Sequence, residues 1–70
     1  MSYWVYRMHG AGPVPLYGFN TLDEALSYAR TQVRLAGIVG LSVVLEVYYG
    51  KALKARVYER GAGVLAEVLA

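Results

Sequence analysis

The clearest periodicity in the chain begins at Thr21. Leu22, Ala25, Leu26, Ala29, Val33 and Ala36 recur at helical spacing, and Asp23, Ser27, Arg30, Thr31 and Arg34 lie largely opposite. Thr21 followed three residues later by Glu24 reads as a capping box, in which each side chain satisfies an orphan donor of the first turn. Acidic residues early and Arg30 and Arg34 late suit the helix dipole. Gly37 reads as the C-terminal stop.

Around this helix the pattern changes to strands. Residues 2 to 8 are β-branched and aromatic, with Trp4, Tyr6 and Met8 on one face and Tyr3, Val5 and Arg7 on the other. The stretch from His9 to Pro15 is a turn, and Val14 to Phe19 reads as a short second strand with Pro15 on an edge or at a bulge. Residues 38 to 49 read as the long central strand, with Val39, Leu41, Val43, Leu45, Val47 and Tyr49 facing the helix. Gly50 marks a hairpin into a strand from Ala52 to Arg60. Cross-strand neighbours share a face, so odd positions must pair with odd. A three-residue loop of Tyr49, Gly50 and Lys51 satisfies this and sets Glu46 opposite Lys54. After Gly61-Ala62-Gly63, the apolar tail from Val64 to Ala70 reads as a final strand, with a helical turn as the alternative. The fold expected is α+β: one amphipathic helix on a mainly antiparallel sheet of three to five strands, in one domain covering residues 1–70.

Composition narrows the chemistry. A chain of 70 residues buries only about 60% of the surface its unfolded form exposes, so its core is thin. Only 17% of the residues are charged while 57% are hydrophobic, which leaves apolar surface for a partner. With no cysteine, disulfides and thiolate sites are excluded, and with one histidine a multi-histidine metal site is excluded too. No cofactor and no metal are expected. No uncharged run, the apolar stretch Leu35 to Leu45 included, reaches the ~20 residues of a membrane span. Scarce amides, Asn20 and Gln32 alone, are a thermophile-like tendency. The start Met-Ser-Tyr-Trp has no signal-peptide character, so a cytoplasmic protein is expected.

Catalytic constellations are thin. Asp23 and Glu24 belong to a helix start, and Ser27 and Ser42 have no base in any motif. His9 stands alone beside a glycine turn. The pairs Gly10/Gly12 and Gly61/Gly63 are turns, since no helix follows directly to present amides to a phosphate. The chain is therefore expected not to be an enzyme. The stretch from Gly18 to Leu26, with its Thr-Leu-Asp-Glu-Ala core, resembles the strand-to-helix step of HicB-like antitoxins and many small phage proteins. Only about 20 residues precede the helix, fewer than that family's three strands need, and no function is carried over.

Two surfaces remain as candidates. Lys54, Arg56, Tyr58 and Arg60 alternate along one strand, with Tyr48 on the matching face of its neighbour; single-strand binders combine such cations and stacking rings on a sheet. The net charge of +2 is only mildly basic, which makes nucleic acid the secondary reading. The leading one is a non-catalytic interaction module acting as a homodimer or on a protein partner. Its interface is expected at Tyr3, Val44, Tyr48, Leu65 and Leu69, apolar groups on the sheet face away from the helix.

Overall fold

The computed structural model describes residues 2–69. The order is β1 (Tyr3–His9), β2 (Gly12–Phe19), α1 (Leu22–Ile38), β3 (Val44–Tyr49), β4 (Ala52–Arg60) and β5 (Gly63–Val68). The strands form one antiparallel sheet in the order β2-β1-β3-β4-β5, with the helix on one face. The tail is a strand, and Ala70, its last expected residue, lies outside the described residues. No helix among the described residues is long and apolar enough to cross a membrane.

The helix starts at the expected N-cap, Thr21, but with only half of the capping box, because the Glu24 carboxylate meets the Thr21 hydroxyl and not its backbone N–H. The Glu24 amide donates to Thr21 Oγ1 at 3.2 Å, and the Thr21 hydroxyl donates to Glu24 Oε1 at 3.0 Å. Ala25, Leu26, Ala29 and Val33 are buried against Val5, Leu45, Val47, Ala55 and Val57. The small Ala side chains let the helix approach the sheet closely, which gives a thin chain a dense core.

The helix ends later than expected. Gly37 remains helical, and the left-handed residue is Gly40, at φ +80°. The Gly40 amide donates to Gly37 O and the Leu41 amide to Ala36 O, the paired bonds of a Schellman ending. This removes residues 38–43 from the expected central strand and leaves Val39 and Leu41 exposed rather than facing the core. A Cβ on Gly37 would stand 2.6 Å from Glu59 Oε2, the mobile end of an exposed side chain. Two opposite outcomes follow in urea unfolding. Gly40→Ala lowers stability by about 1–2 kcal/mol, because alanine resists the left-handed conformation. Gly37→Ala displaces the Glu59 carboxylate into water and raises stability by up to about 1 kcal/mol of helix propensity. A loss at Gly37 as large as that at Gly40 contradicts this assignment of the helix end.

The β3–β4 hairpin meets the parity rule by another device. Its turn is Gly50-Lys51, with Tyr49 opposite Ala52 and Gly50 at φ +63°, the positive φ that a two-residue hairpin needs at its first central position. A bulge at Lys54 in β4, opposite the Val47–Tyr48 step of β3, then shifts the register so that Val47 meets Ala55 and Leu45 meets Val57. Odd again pairs with odd. The partner of Glu46 is therefore Arg56, not Lys54.

Candidate functional site

The helix covers one face of the sheet, so the opposite face carries whatever the molecule presents there. Cross-strand pairing places Trp4 beside Tyr48, Tyr6 beside Glu46, Glu46 beside Arg56, Val44 beside Tyr58, Tyr58 beside Leu65 and Arg56 beside Glu67. All of these share the open face. Of the expected interface residues, Val44, Tyr48, Leu65 and Leu69 belong to it. Tyr3 does not: it pairs with Tyr49 and packs against the core on the helix side. Strand β1 alternates strictly, and Val5 at its centre is fully buried under the helix, so Tyr3 must share the side of Val5.

Trp4, Tyr6 and Met8 were missing from the expected surface. Their signal was present in the alternation of residues 2 to 8, once Val5 is known to face the core. Trp4, 43% exposed, lies over Gly18 of β2, where a Cβ would come within 2.9 Å of Trp4 Cε2. Tyr6 and Tyr48 meet edge to face with ring centroids 5.5 Å apart.

At the centre of this face sits a buried carboxylate. Glu46 accepts from the Tyr48 hydroxyl at 2.8 Å and from Arg56 Nε at 3.0 Å. Arg56 Nη1 also stands 3.8 Å from Glu67 Oε1. A buried charge needs such partners, because unpaired it loses its hydration without return. The hydrogen bond to Glu46 raises the Tyr48 phenol above its ordinary value, with burial and the carboxylate's charge adding to it. The same carboxylate holds the Arg56 guanidinium more firmly protonated.

A raised phenol means that the folded state holds this proton more tightly than the unfolded state. Its stabilisation is complete below the ordinary tyrosine value near 10 and is lost as pH rises through the folded-state value. The expected result is that Tyr48→Phe removes the most alkaline step from a phenolate absorbance titration. An unchanged alkaline limb contradicts the bond to Glu46.

The basic-aromatic row is divided. Tyr48, Arg56 and Tyr58 lie on the open face, Lys54 sits at the bulge with its carbonyl accepting from the Leu69 amide, and Arg60 is exposed at the strand end opposite Gly63. Arg56, the middle cation, is committed to two carboxylates. His9 is exposed and its Nδ1 accepts from the Ala11 amide at 3.3 Å, inside its own turn. Among the described residues, no three His, Asp or Glu side chains gather in a metal-binding group. Compared with known proteins, the chain matches no family model, no curated protein and no solved structure.

Proposed function

We propose that this protein is a non-catalytic, cytoplasmic interaction module whose open sheet face mates with the same face of a second copy. The observation that supports this is the composition of the face: Trp4, Tyr6, Met8, Val44, Tyr48, Tyr58, Leu65 and Leu69 surround charges that neutralise one another within the chain. Interface cores are rich in aromatic residues and Met and poor in unpaired charge. Five strands at ~4.8 Å and six residues at ~3.3 Å give a projected area of about 500 Å². Side-chain relief adds to this and brings the face near the roughly 800 Å² per partner of a standard interface. An isologous two-fold contact is the commonest way for identical faces to meet.

The competing reading, a single-stranded nucleic acid on the same rings, is weakened by the commitment of Arg56 to Glu46 and Glu67. Trp4, the one tryptophan, reports on both. Face mating predicts that Trp4 emission shifts to the red on dilution, equally at low and high salt. Nucleic-acid binding predicts instead quenching of Trp4 by a single-stranded oligonucleotide, reversed by added salt. Emission unchanged on dilution, from a Trp4 still as open to quenchers as a surface tryptophan, contradicts the proposal.

A further inference from the structure

The two edges of the sheet are built differently. On β2, Pro13 and Pro15 stand in the pairing with β1, and the register shifts between them and Tyr17. Proline is accommodated in a ladder only where its nitrogen faces away from the neighbour, so the outer edge of β2 lacks donors at both positions. Prolines and bulges are the usual protection of an edge.

Strand β5 has none of this. It contains no proline and no Lys or Arg, its pairing with β4 runs without a register shift, and its only charge is Glu67. The Leu69 amide donates to Lys54 O at 2.8 Å, which makes 54 and 69 a hydrogen-bonded pair. Bonded pairs alternate along an antiparallel ladder. Gly63, Leu65 and Glu67 therefore direct their backbone groups at β4, and Val64, Ala66 and Val68 direct both N–H and C=O outward. Beside this row Leu65, Val68 and Leu69 are exposed.

We infer that the outer edge of β5 pairs with β5 of a second copy, antiparallel about a two-fold axis at Ala66, joining two sheets into one of ten strands. The chemistry of the edge selects the register. An axis at Glu67 sets that carboxylate against its own copy, which is unfavourable. An axis at Leu65 leaves the outward groups of Val68 beyond the partner's strand. An axis at Ala66 pairs Ala66 with Ala66 and Val64 with Val68, and sets Glu67 opposite Leu65. Every outward backbone group of the three residues then finds a partner. A second copy fits this edge because the strand is complementary to itself in that register.

This contact is independent of face mating. Its axis is perpendicular to the sheet, so both helices lie on one side and both open faces on the other. Where the two-fold axis of the face contact meets this one at a right angle, the two isologous contacts close at four chains; axes that miss each other would propagate into a fibre.

Amide exchange on the unmodified protein tests the pairing. The expected result is that the Val64, Ala66 and Val68 amides exchange as slowly as those of Leu65 and Glu67. Fast exchange at the three even positions with slow exchange at the two odd ones overturns the inference. Ala66→Pro deletes one outward donor while sparing the bonds to β4, and is expected to halve the particle mass. Should that variant fail to fold, the exchange result on the unmodified chain still decides. Val44→Asp separates this contact from the other: slow exchange at the even positions persists in it if only the face reading fails or is disrupted, whereas loss of slow exchange there overturns an independent edge.

Discussion

Leu45→Ala removes a large share of the molecule's stability. Leu45 is the largest of the fully buried side chains and is 1% exposed, in the middle strand under the helix. Truncating a buried leucine costs about 2–5 kcal/mol, made of lost transfer energy and the cavity left behind. A chain of 70 residues has roughly 4–10 kcal/mol to lose, at the usual ~0.05–0.15 kcal/mol per residue. Its Tm should fall by at least about 10 °C. The comparison must be made at one protein concentration, since association of folded chains raises apparent stability. The core has little means of compensation: its neighbours across the sheet, Val57 and Arg7, sit in fixed register, and the helix contributes mostly short side chains there. A loss under about 1 kcal/mol contradicts the packing described.

Val44→Asp acts on assembly instead. Val44 is exposed on the open face opposite Tyr58, outside the core cluster, so a carboxylate there is hydrated in the single chain. In a mated face it must lose that water among Tyr and Leu side chains. Burying such a group without a partner costs several kcal/mol, and face association should weaken about 100-fold or more. The fold itself should persist, with unchanged far-ultraviolet circular dichroism. Association of equal strength in wild type and variant contradicts the face as the contact.

The helix was legible because three signals coincide there: a capping residue, an acidic first turn and an apolar stripe. The order of strands along the chain was also legible, since β5 and β2 each follow a glycine turn. Features that depend on a single residue of register are not legible in the same way. Gly37 and Gly40 can each end a helix, and it is the φ of +80° at Gly40 with the Gly40-to-Gly37 and Leu41-to-Ala36 bonds that shows which one does. The parity rule for the β3–β4 hairpin was sound, but a loop residue and a bulge satisfy it equally well, and they give Glu46 different partners. The face of Tyr3 follows from Val5, whose burial depends on which side the helix occupies. The site was thus half visible. Tyr48, Val44, Leu65 and Leu69 could be grouped from β3 and the tail alone. Trp4, Tyr6 and Met8 required β1 to be set between β2 and β3.

The most direct test of the account is the solution mass of the unmodified protein, by size exclusion with light scattering at low and high salt. Apolar mating predicts a particle larger than one 7.7 kDa chain, two chains by the face alone or four with the β5 edge, and the same at both salt concentrations. A single chain under both conditions contradicts it.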